Sequence, residues 1–463
     1  MTRTSTRLIA LGVVSSLAVA CAQEADNGLL TAGPDDGGPT APVTTDDPKE
    51  VAAAAVEEVT AFWRDRYPEI YGEEFQEVAG FYPYGPDTDP PPCGSPPPRY
   101  EEIARNAFYC PTDDIIAWDE YALMPALNEE FGSFTVAIVI AHEYGHAIQQ
   151  RFGTGDRTVD LELQADCFAG AWTASVANGE SERFPPDDID LDKTVAGMIA
   201  IRDAPGTDPD DPFAHGSGFD RVSAFQDGYE NGAEKCAEYA NDNEERRTAE
   251  IPFSEGDLDT GGNFPLHDEE APNGEGLFTL VEADLNEFYE WYFGQLGETW
   301  TPVADLVLVD PSSDQVACGG EELSGDELEY AAVYCNDENI AVIDDEGLVP
   351  DLNRIGDFAV GSEVAQLWAV AAQSQLGGGD ADEADLQAIC LSGYWSASLF
   401  PGAEDVTPES TLSLSAGDLD EAIMGFIAYG QSDTGRTVFD RAAALRTGVF
   451  GELRACAEYG PLD

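Results

Sequence analysis

Five landmarks occur twice along the chain, in the same order, and nothing else in the sequence limits the fold as strongly. Cys93 and Cys110 stand 17 positions apart, as do Cys318 and Cys335. Residues 162–172 read ELQADCFAGAW and return at 385–395 as DLQAICLSGYW. DLD at 190–192 returns at 418–420, each copy followed by an apolar, glycine-containing helical pattern. FDR at 219–221 returns at 439–441, and both copies then reach CAEY after the same interval, at Cys236 and Cys456. Self-similarity of this kind means that one structural plan is built twice. We expect two homologous units, residues 48–245 and 276–463, with a linker over 246–275 rich in Gly, Asp, Glu and Pro. A length of 463 residues also exceeds one ordinary domain.

The recurrence proposes how the cysteines pair. Cys93–Cys110 and Cys318–Cys335 would close short local loops. Cys167–Cys236 and Cys390–Cys456 would tie a central helix to the end of each unit. Closing the shorter loops is worth about 3 kcal/mol in the chain-entropy model. Spacing alone leaves the connectivity open. With Cys21 set aside, eight of the nine cysteines remain, an even number that suits an oxidising compartment.

The start of the chain agrees with export. Arg3 and Arg7 precede an apolar run over 8–19 that is too short to cross a bilayer as a helix. It ends in Leu17-Ala18-Val19-Ala20-Cys21. We read residues 1–20 as a signal peptide and Cys21 as a lipidated N-terminus. Residues 21–47 then form a flexible Gly, Pro, Thr and Asp-rich tether to the cell envelope. Ordinary cleavage after Ala20, giving a secreted protein, is the alternative. Membrane contact is expected only through that lipid.

Charge excludes other partners. The chain has 91 acidic and 21 basic residues, a formal net charge of -70. Nucleic acid and anionic headgroups both require positive charge to replace their counterions, so neither is an expected partner. Such a surface serves solubility in a salty milieu; an acidic patch for cationic substrates is the alternative.

Residues 133–152, SFTVAIVIAHEYGHAIQQRF, read as one helix ending at Gly153. Its first half is apolar, as a helix through a core requires. His142 and His146 are i and i+4, on one face about a turn apart, so both imidazoles can reach one tetrahedral ion. Glu143 projects beside the open coordination position, where it can take a proton from water on the metal. A catalytic zinc site needs a third protein ligand. Glu162 is the natural one, on a second helix that Thr158 or Asp160 caps. Asp166, again i+4 from Glu162, would hydrogen-bond the far nitrogen of a ligand histidine and fix its tautomer. His215, in the loop AHGSGFDR, is a candidate to steady the oxyanion of an acyl-transfer intermediate, or else a local hydrogen-bonding group. Arg221 is a candidate to pair with a buried carboxylate and position that loop. Tyr144 faces another side of its helix and is assigned to packing, and His267 is incidental.

These segments resemble the bacterial neutral zinc metallopeptidases. The resemblance rests on Cys93-Gly94, NAFYCPTDD at 106–114, VIAHEYGHAIQ at 139–149, ELQADCFAGAW at 162–172 and HGSGFDR at 215–221. It spans nearly all of the first unit and is similar to thermolysin-like enzymes in its HExxH…ExxxD logic. It implies one Zn2+ in the first unit, held by His142, His146 and Glu162, with Glu143 as general base and a peptide or protein as substrate. The histidine that often follows the motif is Ala147 here, a position that is not a ligand. The fold class expected is mainly α with few short strands: two zincin-like helical units in tandem, stapled by disulfides and in contact with each other.

The second unit lacks the ligands. Aligned on Phe134 and Phe358, His142, Glu143 and His146 fall on Gln366, Leu367 and Val370. Glu162 and Asp166 fall on Asp385 and Ile389. Aliphatic and amide side chains cannot replace two imidazoles, so this unit is expected to be a metal-free pseudoenzyme. Two other readings share these residues: an envelope-tethered binding or scaffolding lipoprotein with a vestigial zinc site, and a zinc hydrolase of a non-peptide amide.

Overall fold

Each half of the chain opens with a long helix, forms a small mixed sheet and then folds five further helices, the second of which packs on the sheet. The computed structural model describes residues 47–152, 158–208, 214–240, 248–249, 251, 253, 260–377, 383–400, 410, 412–429, 436–460 and 462. The expected export signal, Cys21 and the tether up to residue 46 lie outside the described residues, as does Gly153.

Helix α1 (Pro48–Tyr71) starts where Asp47 accepts a hydrogen bond from Lys49 N at 3.0 Å and Pro48 presets the first helical φ. It stops at Gly72, whose φ of 72° is costly for a residue with a Cβ. Val51, Ala55, Val59, Trp63 and Tyr67, each four residues after the last, are buried. That stripe packs on α4. After α1 come β1 (Gly80–Tyr84), a single turn α2 (Tyr100–Ile103), β2 (Ala107–Cys110) and β3 (Ile115–Asp119). The sheet order is β1-β3-β2, with β1 parallel and β2 antiparallel to β3. Then follow α3 (Leu123–Phe131), α4 (Ser133–Phe152), α5 (Thr158–Ala177), α6 (Leu191–Ala200) and α7 (Gly218–Ala237), the last interrupted at Gly232.

The second half begins with α8 (Leu277–Leu296), then β4 (Leu306–Val309), an exposed hairpin of β5 (Gln315–Cys318) and β6 (Glu321–Ser324), β7 (Ala332–Cys335) and β8 (Ile340–Asp344). Its three-stranded sheet has the order β4-β8-β7, again one parallel and one antiparallel pairing. It continues with α9 (Leu348–Asn353), α10 (Asp357–Leu376), α11 (Ala384–Ser398), α12 (Asp418–Tyr429) and α13 (Val438–Phe450). The protein is mainly helical with few short strands, as the sequence led us to expect. Disulfides join Cys93 to Cys110, Cys167 to Cys236, Cys318 to Cys335 and Cys390 to Cys456. No helix among the described residues is long and apolar enough to cross a membrane.

In each half two helices touch backbone to backbone. A Cβ on Gly170 of α5 would stand 1.9 Å from Phe225 O, and one on Gly228 of α7 would stand 1.8 Å from Cys167 O. In the second half Gly448 of α13 meets Cys390 O, at 2.0 Å from its missing Cβ, and Gly393 of α11 meets Leu445 O at 2.4 Å. The Cys167–Cys236 bridge fastens α5 to the end of α7, and Cys390–Cys456 fastens α11 to the turn that follows α13.

One hydrophobic core runs through both halves. Phe439 meets Tyr229 and Phe225 edge-on, with ring centroids 5.1 and 6.4 Å apart, and Phe219 lies 5.6 Å from Phe450. The polar contacts across this interface are reciprocal. Asp420, last residue of the second DLD, accepts from Phe219 N at 2.7 Å, at the first FDR. Asp192, last residue of the first DLD, accepts from Phe439 N at 3.1 Å, at the second FDR. Gln226 and Arg446 add hydrogen bonds to Phe439 O (2.8 Å) and Ser223 O (3.1 Å).

Candidate metal centre

Helix α4 enters the core almost wholly surrounded, so the polar side chains it carries must find partners inside the protein. His142 and Glu143 are buried at 8% and 6% exposure. The partners of His142 come from α5, and Gly145 is what lets α5 close in: a Cβ there would stand 2.8 Å from Ala165 Cα. Gly145 is the third residue between the histidines, and Ala165 lies within ELQAD, so the two motifs meet at their smallest residues. Nothing in the sequence signalled this contact.

Across that narrow gap Glu162 faces both imidazoles. Its Oε2 is 3.2 Å from His142 Nε2, and its Oε1 is 3.4 Å from His146 Nε2. One ligand atom from each of the three lies within 4.8 Å of the others. Tetrahedral zinc with bonds of about 2.0–2.1 Å sets neighbouring ligand atoms about 3.3 Å apart. The donor set and its spacing therefore fit a zinc ion.

Both rings are held through the opposite nitrogen. His142 Nδ1 is 2.7 Å from Asp166 Oδ1. His146 Nδ1 is 2.9 Å from Gln149 Oε1, while Gln149 Nε2 donates to Leu161 O at 2.6 Å. Because the Gln149 amide spends its N–H on a carbonyl, it presents oxygen to the ring, and Nδ1 is the donor. Each Nε2 is thereby left to face Glu162, the tautomer that a metal ligand needs. Asp166 is in turn gripped by Arg221, Nε to Oδ2 and Nη2 to Oδ1. The carboxylate pairing proposed for Arg221 is thus with Asp166. Gln149 is a support that sequence reasoning missed, although its i+3 relation to His146 on one face was available to find it.

The charges ask for a cation. Burial alone would lower the His142 pKa, but Asp166 and Glu162 overcome it and raise it to about 10. His146 is also raised against the pull of burial, chiefly by Glu162. Glu162 is held well below the usual carboxylate range, burial being outweighed by the two histidines. Both carboxylates thus favour positive charge on the rings, which a divalent ion would equally supply. Glu143 is pushed the other way: burial raises its pKa, opposed by the two histidines and by a hydrogen bond from the backbone N–H of Tyr109 on β2. A raised pKa makes it a stronger proton acceptor than an exposed carboxylate.

His215 is not one of the three converging groups. Its side chain is half exposed, and its Nδ1 lies 3.2 Å from Asp203 Oδ1. The adjacent loop lines a cavity of about 550 Å3 between the two halves, whose wall includes Val159, Asp203, Ser217, Leu419 and Asp420. Val159 precedes Glu162 by less than one turn of α5. Tyr144 is fully buried and hydrogen-bonded to Thr60 at 2.7 Å. His267 packs beside Phe278, 3.5 Å from an Asp345 oxygen.

In the second half, Leu367 and Ile389 are buried among apolar neighbours, and Gln366 donates to Ser362 O on its own helix. A different carboxylate group occurs in this half: Asp357, Asp418 and Glu421. Its oxygens serve the backbone, accepting from Phe264 N, Ser415 N and Phe358 N respectively. Burial foremost, with neighbouring carboxylates, raises Glu421 to about 9. Of these three only Asp418, in the second DLD, fell within a sequence landmark.

Comparison with known proteins agrees with the geometry of the first half. Residues 91–239 match the family described as "Putative neutral zinc metallopeptidase". An uncharacterized protein of Mycobacterium tuberculosis is 32% identical over 151 residues, covering 27% of this chain and 52% of the relative. The uncharacterized protein YpfJ of Escherichia coli is 29% identical over 150 residues, covering 27% of this chain and 50% of its own. The chain spans about half the length of the curated relatives it matches. No solved structure gives a significant match.

Proposed function

We propose that the chain is a zinc-dependent metallopeptidase that hydrolyses peptide bonds in its first half, with His142, His146 and Glu162 as metal ligands. The observation that carries this reading is the approach of both Nε2 atoms to one carboxylate at 3.2 and 3.4 Å, with a buried glutamate next to the first histidine. The family match over residues 91–239 supports it. Zinc at this place supplies Lewis acidity, drawing the pKa of water toward neutrality and polarising the scissile carbonyl. Glu143 takes the proton of the attacking water and hands it to the leaving amine. Asp166 and Gln149 hold the two rings so that neither turns from the ion. His215 is the candidate to hydrogen-bond the developing oxyanion, its ring oriented by Asp203.

The second half, in this reading, is a repeat of the first that has lost the ligand set. The equal sheet pairings, the equal disulfide spacings of 17 and the reciprocal DLD–FDR contacts support a duplication. Export, with attachment to the cell envelope through Cys21, completes the proposal and accords with the four disulfides.

Zinc content and cleavage of an unfolded protein substrate test the reading. E143Q should retain stoichiometric zinc and lose about 10²- to 10⁴-fold in kcat, whereas H146A should lose the metal. Wild-type turnover in E143Q would remove the base assignment, and a wild-type chain without zinc would remove the whole proposal.

A further inference from the structure

The contact that joins the two halves leads into the supports of the metal centre. His142 Nδ1 faces Asp166, Asp166 is held by Arg221, and Arg221 rides on the first turn of α7. A helix leaves its first N–H groups without acceptors of its own. Here Gly218 N donates to Asp420 Oδ2 at 3.1 Å and Phe219 N to Asp420 Oδ1 at 2.7 Å, while Ser217 Oγ accepts from Asp220 N at 3.1 Å. Asp420 belongs to α12 of the other half. It is 3% exposed and also lies 2.9 Å from Arg202 Nε. Gly218 leaves room for the approach, since a Cβ there would stand 3.2 Å from Asp420 Cγ and 2.5 Å from Ile199 Cδ1.

We infer that Asp420 is a positioning residue for the metal centre: by fixing the first turn of α7 it aims Arg221 at Asp166, and through Asp166 it sets the ring of His142. The inference rests on the metallopeptidase reading above. It gives the second half a part in the site of the first without any ligand of its own. Both oxygens of Asp420 are used, one on each N–H, so the position calls for a carboxylate and not merely a polar group. The reciprocal contact, Asp192 to Phe439 N, has the same chemistry at the same interface but leads into α13, on the side of the second half. It is a matched control.

The full-length chain is compared as wild type, D420A, D420N, D420E and D192N. Zinc affinity is read by competition with a chromophoric chelator, ligand geometry by the visible spectrum after cobalt substitution, and catalysis by kcat and KM on a peptide. D420A and D420N should weaken zinc by about 10- to 100-fold, the range typical of groups that orient metal ligands. They should also shift the cobalt spectrum and lower kcat more than they raise KM, and D420E should recover part of each. D192N should lower the melting temperature but keep zinc affinity and the cobalt spectrum. If D420A does not fold, D420N, which keeps the volume, decides. Wild-type zinc affinity in folded D420N, or equal loss in D192N, overturns the inference and leaves the metallopeptidase reading standing. A wild-type chain that binds no zinc overturns both.

Discussion

Arg221 meets Asp166 through two hydrogen bonds, Nε to Oδ2 at 2.8 Å and Nη2 to Oδ1 at 3.0 Å, with the two side chains only 3% and 2% exposed. The pairing is bidentate, which an ammonium group cannot reproduce. Asp166 stays ionised in spite of burial because Arg221 and His142 both draw its pKa down. R221A leaves that carboxylate with half its support and should cost about 3–5 kcal/mol, the usual penalty for breaking a buried pair. R221K should cost less in urea unfolding, yet still weaken zinc binding by about 10-fold or more. Folded R221A with wild-type zinc affinity would disconnect this pair from the metal.

The pH dependence of the metal-free protein follows from His142. Its pKa in the folded chain stands near 10, against about 6.5 unfolded. The unfolded chain gives up the proton first as pH rises, so the stabilisation is whole below about pH 6.5 and fades toward pH 10. Zinc requires the ring neutral, so zinc binding expels protons and tightens over the same window. Melting in the presence of a chelator should therefore fall from pH 7 to pH 9, and the gap to the zinc-loaded protein should widen. A constant gap across that range would contradict the charge assignment at His142.

What the sequence disclosed and what it withheld divide along physical lines. The bounds of α4 and the convergence of His142, His146 and Glu162 were legible because helical period places i and i+4 together, and because a zinc site demands a third donor. The cysteine pairs were legible because the landmarks recur. Gly145 against Ala165 was not, since only the distance between two helices shows that a Cβ would not fit. Asp420 was hidden for a similar reason: it caps a helix some 200 positions away in the chain, and no local pattern encodes such a partner. The strands were expected only as few and short. Tyr109 of β2 reaches Glu143 through its backbone, and a backbone donor leaves no trace in side-chain identity.

The crossing of α5 and α7 yields a prediction about stability that reaches the site. Gly228 lies against Cys167 O and Gly170 against Phe225 O, both at distances that no Cβ can occupy. The obstructing atoms are backbone on both sides, so no rotamer change relieves the clash and the helices must part. G228A should therefore destabilise by about 1–3 kcal/mol or more, as overpacking does in well-filled cores. Because α5 carries Glu162 and Asp166 while α7 carries Arg221, the same separation should weaken zinc binding. G294A is the contrast. A Cβ at Gly294 of α8 meets nothing within 4 Å, so alanine should stabilise that helix by about 0.5–1 kcal/mol through lower backbone entropy in the unfolded chain. Opposite signs in chemical denaturation are the expected result. A G228A protein as stable as wild type would mean that α5 and α7 do not touch as described.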